Sequence, residues 1–330
     1  MRKLRRSRLP LIAAGLLLSA FFTYLAVKDV DWDVFWEGLQ TSDYGWLVPA
    51  LVVLGVSVWV RAVRWQLLFR PETRPPIGPT LRATIVGQFF NSILPARAGE
   101  AARIVMLKQE AGTSRAESLG TAVAERIIDV LALLLLLLVA LPFLPEIGWL
   151  KAVGAFALAF VVFVGAATLV LRRFGHRPMR YLLRPLARIP AIREEHTDRA
   201  ASNIVAGLHV LERPERAGPA FLLTFVSWLL LSLSFWFTLL AFEPDLGYDA
   251  GILVLVTTTL SLVIPSLPAG VGVFEAAVLV ALRPYGVDDS LALSYAVVLH
   301  ALNFVPYVVA GYVVLHGHTR RMRRAAPRSA

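Results

Sequence analysis

The residues in this chain with the most chemistry are ionisable groups set inside apolar runs. Arg61 and Arg64 stand in VWVRAVRWQLLF, three apart and therefore on one helix face. The stretch GQFFNSILPARAGEAARIVMLK carries Gln88 and Asn91 before a Pro/Gly break, and Arg97, Glu100 and Arg103 at or after it. AVAERIIDVLALLLLLL sets Glu125, Arg126 and Asp129 at the head of a long leucine run. Glu275 lies in VIPSLPAGVGVFEAAVLVAL with no basic residue close in sequence. A charge at the centre of a membrane span costs about 2.5–3.5 kcal/mol, so groups this dense need partners, water or a ligand.

Each group has a chemical reading and a structural one. A helix that starts after Gly99 points its positive end at the turn, where Arg97 and Arg103 could join it in holding an anion. The alternative is a Glu100–Arg103 pair that neutralises itself. Glu125 and Asp129, four apart, could meet Arg61, Arg64 or Arg103, either as a network bracing the bundle or as substrate contacts. Arg64 is near the inner end of its run and can snorkel to headgroups; Arg61 is deeper. Glu275 either pairs across the bundle or exchanges a proton. His300, Asn303 and Tyr307 recur at helical spacing, as partners in hydrogen bonds between helices would. His316 and His318 are too sparse for a metal site, so no metal and no cofactor are expected. With no cysteine there is no disulfide and no thiolate chemistry. There is no Walker A, GxSxG, HExxH or Rossmann signature, which argues against an ATP-driven pump, a familiar hydrolase and enzyme activity generally.

These residues must be positioned by membrane helices. Of 330 residues, 57% are hydrophobic, and several runs reach the roughly 20 residues that a bilayer requires. The expected fold is an all-α polytopic membrane protein, a single membrane domain over 1–330. The net charge of +10 would suggest nucleic acid in a soluble protein. Here the basic residues flank apolar runs, as the positive-inside rule expects, so the partners are membrane lipids and not nucleic acid. The basic start MRKLRRSR and the run to Val27 read as an uncleaved first span, because no convincing cleavage site follows.

Full spans are expected at 9–27, 46–69, 119–141, 149–171, 219–241 and 291–316. The acidic loop 28–45, with Trp32, Trp36 and Trp46 as an interfacial belt, should be outside, as should 142–148 and 242–249. The basic N-terminus, loop 70–82, segment 172–216 with its ten arginines and tail 317–330 should be cytosolic. Within 172–216, Arg180, Arg184 and Arg188, and then Ala201, Ile204, Val205, Leu208 and Leu211, suggest helices lying on anionic lipid.

The sides balance only if 83–107 enters and returns from the cytosol and 250–282 enters and returns from outside. Each of these regions contains a matching break, LPARAGEAA at 94–102 and LPAGVGVFEAA at 267–277. The prediction is therefore six full transmembrane helices plus two re-entrant helical hairpins in an inverted-topology repeat, about 1–141 and 149–316. Broken segments at corresponding positions of two halves point to a transport site.

The motifs RAVRW at 61–65, NSILPARAGEAAR at 91–103, AERIID at 124–129 and SLPAGVGVFEAA at 266–277 resemble the membrane region of lysylphosphatidylglycerol synthases and the related flippase-like membrane proteins. In order and spacing they cover nearly the whole chain. The resemblance implies a multi-pass protein of a bacterial or archaeal cytoplasmic membrane. In two-part members this region moves aminoacylated phosphatidylglycerol between leaflets, and a separate cytosolic domain makes that lipid. Here only a short basic tail follows the last span, so lipid aminoacylation is not expected. The expected function is a lipid flippase or lipid-linked substrate transporter for an anionic or aminoacylated phospholipid or a polyprenyl phosphate. Its headgroup contacts would come from Arg61, Arg64, Gln88, Asn91, Arg97, Glu100, Arg103, Glu125, Arg126, Asp129 and Glu275. The alternatives are an accessory protein scaffolding an envelope-biosynthesis enzyme and, beyond that, an intramembrane transferase using Glu100 or Asp129.

Overall fold

The computed structural model describes residues 9–94, 98–174, 214–262 and 267–325. Arg97, the arginines of 175–213 and the apolar series from Ala201 to Leu211 lie outside the described residues. The rest is helical: α1 (Leu9–Val27), α2 (Trp32–Thr41), α3 (Leu47–Leu67), α4 (Ile77–Ile93), α5 (Gly99–Ala111) and α6 (Arg115–Ala140) come first. Then follow α7 (Gly148–Phe174), α8 (Pro214–Leu240), α9 (Tyr248–Ser261), α10 (Val273–Leu282) and α11 (Asp289–Ala325). No strand occurs among the described residues. In hydrocarbon a backbone must satisfy its own hydrogen bonds, and a helix does so within one segment. Four helical stretches are long and apolar enough to cross a membrane: Tyr44–Leu67, Arg115–Phe143, Glu215–Leu240 and Asp289–Arg321. Shorter apolar stretches lie at Gly15–Val27, Gly148–Phe163 and Tyr248–Ser261.

Helices α4 and α5 form an antiparallel hairpin, and α9 and α10 form another. Near the open end of the first, Arg82 pairs with Glu110 at 2.6 Å. Near its turn, the Gly99 amide donates to Asn91 Oδ1 at 2.9 Å. Helices α4 and α5 touch where both are glycine: a Cβ on Gly99 would lie 1.9 Å from the Gly87 carbonyl oxygen. In the second hairpin, the Tyr285 hydroxyl donates to Asp249 Oδ2 at 2.7 Å, near the open end. The leucine before the proline of each LPA motif is extended: Leu94 has φ −103 and ψ 142, and Leu267 has φ −56 and ψ 159. Proline's ring crowds the residue before it out of helical geometry, so neither leucine is helical: α4 ends just before Leu94, whereas α9 ends earlier, at Ser261.

The second turn has an unusual backbone. Ala269, Gly270 and Gly272 all have positive φ. A Cβ at Gly272 would lie 2.3 Å from Thr23 Oγ1 and 2.6 Å from the Ser19 carbonyl oxygen of α1. The Leu267 amide donates to Ser19 Oγ at 2.8 Å, so α1 holds this turn directly.

Helices α3 and α8 pack antiparallel along their length. Trp46 stacks on Phe237 at 5.9 Å, Ser234 Oγ donates to the Ala50 carbonyl at 2.8 Å, and Arg64 Nη1 donates to Thr224 Oγ1 at 3.3 Å. One end of the bundle joins loops 28–45, 242–249 and 283–290: the Asp43 amide donates to the Ala241 carbonyl, and the Asp31 amide to Ser290 Oγ, both at 3.0 Å. The other end joins Thr73 to Glu117 at 2.7 Å and gathers Arg82, His318 and Arg321 around Glu110. Segments expected on the same side of the membrane thus meet at the same end.

Segment 28–45, read from sequence as a loop, contains α2. Asp31 caps it by accepting from the Asp33 amide at 2.9 Å. Phe35 and Gly38 are buried; Phe35 passes its carbonyl to Ser294 Oγ of α11 at 2.8 Å. Trp32 and Trp36 remain exposed on the same helix.

The larger apolar core is built from α3, α6, α8, α9, α10 and α11. A smaller one surrounds Trp65, Phe69, Ala83, Val86, Met106, Leu107, Ile128 and Ala220, and the charged residues border it.

Candidate functional site

The charged cluster is assembled from three helices of the first half. The RAVRW segment of α3 turns Arg64 inward, the first two turns of α5 supply Glu100 and Arg103, and the middle of α6 supplies Glu125, Arg126 and Asp129. Glu125 is central. Its Oε1 lies 2.5 Å from Arg64 Nη2, and its Oε2 lies 2.9 Å from Arg103 Nη1. Arg64 also pairs with Asp129. Arg103 Nη2 approaches Glu100 Oε2 to 2.6 Å, and Arg126 lies 3.2 Å from Glu100 and 3.6 Å from Asp129.

Arg64, Arg103 and Glu125 are buried at 2%, 5% and 4% exposure, whereas Arg126 is open to the surroundings. Three guanidiniums meet three carboxylates, so the six groups are neutral together. Pairing is what makes ions tolerable where water is excluded. Indole supports the cluster: the Arg103 guanidinium lies 4.5 Å from the Trp65 ring centroid, and Trp65 Nε1 donates to Thr121 Oγ1 at 3.1 Å.

Several sequence readings are corrected by this packing. Arg64 does not snorkel: it is wholly buried because α6 brings two carboxylates to it. Arg61, one turn away, joins none of these pairs and instead lies over the Trp228 ring at 5.6 Å. Arg103 is engaged by Glu100 and Glu125. Asn91 binds the Gly99 amide across the first turn, while the side chain of Gln88 is half-buried and makes no hydrogen bond among the described residues.

Glu275 belongs to a second, separate site. Its Oε2 accepts from the Gly272 amide at 2.6 Å, completing the start of α10, and its Oε1 lies 2.5 Å from His300 Nδ1. Phe274 packs on the His300 ring at 4.8 Å. Of the three α11 residues read as partners between helices, His300 is one. Asn303 instead donates to Leu299 of its own helix at 3.0 Å, and Tyr307 is buried without a hydrogen bond among the described residues. Trp65, Thr224 and Trp228 were missed by sequence reasoning. Trp65 stands inside RAVRW, but nothing in its spacing shows that Arg103 covers it.

A helical bundle that surrounds ionised side chains with apolar, span-length helices is an integral membrane protein. Over residues 12–311 the chain matches the family described as the lysylphosphatidylglycerol synthase TM region, and it belongs to that family. Among its relatives is a UPF0104 membrane protein of Pyrococcus horikoshii, 20% identical over 308 residues, covering 86% of this chain and 92% of the relative. Others are a UPF0104 membrane protein of Methanothermobacter thermautotrophicus, 24% identical over 78% of this chain and 80% of the relative, and one of Methanocaldococcus jannaschii, 23% identical over 69% and 93%.

Proposed function

We propose that this protein carries a phosphate-bearing lipid headgroup between the leaflets of a bacterial or archaeal cytoplasmic membrane. The observation that carries this reading is the buried cluster of Arg64, Arg103, Glu100, Glu125 and Asp129 beside the turn of a broken hairpin. Buried ions among membrane spans mark polar pathways. In this reading α1, α3, α6, α7, α8 and α11 span, and α4–α5 and α9–α10 are hairpins re-entering from opposite faces. The antiparallel pairing of α3 with α8, the second spans of the two proposed repeats, supports such an inversion. The termini are cytosolic on the distribution of arginine. The family is that of the lysylphosphatidylglycerol synthase TM region, which makes anionic and aminoacylated phosphatidylglycerols the first substrates to test.

The headgroup passes between the hairpins while the acyl chains stay in the bilayer, and no bond of the lipid is made or broken. The test is reconstitution into liposomes with headgroup-labelled lipids. Headgroups of phosphatidylglycerol, its lysyl ester or a polyprenyl phosphate should become accessible from the opposite leaflet. Failure to move any of the three would sink the reading.

The neutrality of the cluster favours a second reading, in which it only braces a scaffold for an envelope-biosynthesis enzyme. In that case Glu100 substitutions change the melting temperature without changing lipid movement, and an enzyme copurifies.

A further inference from the structure

We infer that Arg61 and Trp228 form the subsite that takes the phosphodiester of the lipid; this rests on the headgroup-transport reading above. Arg61 lies one turn from Arg64 on α3, nearer the middle of the helix, and Trp228 lies one turn from Thr224 on α8. The contact between Arg61 and Trp228 therefore sits one turn along from the contact between Arg64 and Thr224, in the same crevice between α3 and α8. Arg64 is fully matched by Glu125 and Asp129, and Arg61 has neither a carboxylate nor a hydrogen bond among the described residues. Trp228 Nε1 is buried and likewise has no acceptor. Two strong donors thus lie together between α3 and α8 with no protein acceptor among the described residues.

The nearby hydroxyls do not fill the gap. Ser57 Oγ donates to the Leu54 carbonyl at 2.7 Å and Ser227 Oγ to the Thr224 carbonyl at 2.8 Å, each within its own helix. Adding Arg61 to the cluster sets four guanidiniums against three carboxylates, leaving one positive charge. A monoanionic phosphodiester balances that charge and offers oxygens to both the guanidinium fork and the indole N–H. Arg61 is half-buried and covers the indole face, so an anion that draws the guanidinium toward itself uncovers the ring.

The test uses the full chain in a phosphate-free detergent, titrated with phosphatidylglycerol, a diacylglycerol that lacks the phosphate, and soluble glycerol phosphate. Binding is read by native mass spectrometry and tryptophan fluorescence, and melting temperature is measured in parallel. Phosphatidylglycerol should bind the wild type in preference to both other probes. Arg61→Gln should weaken it at least tenfold, Arg61→Lys less, and Trp228→Phe, which keeps the aromatic face and removes the N–H, several-fold. In the phosphate-free detergent alone, Arg61→Gln should melt no lower than wild type, because it removes a charge with no counter-ion. Wild-type affinity in Arg61→Gln, or a melting temperature lowered in that detergent, would overturn the subsite. Equal binding of glycerol phosphate would overturn its assignment to a lipid. Translocation assays on the same proteins separate the two ideas. Intact binding with no movement by wild type removes the transport reading alone, and movement with unchanged binding in Arg61→Gln removes the subsite alone.

Discussion

Glu125 shows how a residue reads differently in sequence and in space. In the chain it stands beside Arg126 and one turn before Asp129, at the head of a leucine run; in the fold it lies between Arg64 and Arg103, which come from two other helices. Removing its charge leaves two buried guanidiniums short of a partner. Glu125→Gln should therefore cost about 3–5 kcal/mol, the usual penalty for breaking a buried ion pair, and be seen as a lowered melting temperature in detergent. Asp288, outside the spans, works on a smaller scale. The hydroxyl and amide of Ser290 hold its carboxyl below the usual range, with the Ser290 amide 2.8 Å from Asp288 Oδ1. A depressed folded pKa means its support for the start of α11 is present above the unfolded value, about 3.9, and is lost as pH falls through the folded one. Asp288→Asn should flatten the melting-temperature profile below pH 4 and leave it parallel to wild type above pH 6.

Among the elements, the two hairpins share a plan and differ in chemistry. Both carry a non-helical leucine before proline between their two helices, and both place a glutamate in the first turn of the next helix. Glu100 faces arginines, whereas Glu275 faces an amide and His300. Sequence reasoning recovers the breaks, because proline and glycine act locally. It also offers the Glu100–Arg103 pair, but it does not assign His300 to Glu275, because α11 meets Glu275 only after the chain has folded back. The first hairpin depends on the contact of Gly99 with Gly87. Gly99→Ala forces the arms apart and should cost about 1–3 kcal/mol, the range for overpacking. Gly55→Ala, on an exposed face of α3 with nothing within 4 Å, should instead be neutral or stabilise by about 0.4–1 kcal/mol. Melting both variants in the same detergent checks the contrast.

At the scale of the molecule, the interactions gather the loops into two groups. Because the chain has no cysteine, single-cysteine labelling can test those groups cleanly. Cysteines at Thr73 and Ser114 should react from one side of a sealed vesicle, and cysteines at Glu37 and Asp245 from the other; all four positions are exposed. Labelling of Thr73 and Glu37 from the same side would overturn the grouping. If Thr73 is the cytosolic one, the arginine count also assigned the sides correctly.

The helical membrane character, the positions of the main helices and both hairpin breaks were legible in the sequence. They follow from local causes: apolar length, proline sterics and the cost of unpaired backbone in lipid. The amphipathic helix in 28–45 was missed although Asp31 marks its start, because an acidic, tryptophan-rich segment also suits an interfacial loop. Which charges neutralise one another was a tertiary matter. Spacing set Arg61 and Arg64 on one face as equals. Only the arrival of α6 and α8 turned Arg64 into the partner of Glu125 and Asp129 and left Arg61 over an indole without a counter-charge. Coulomb pairing at 3 Å is set by which helices pack together, and helical period alone does not specify that.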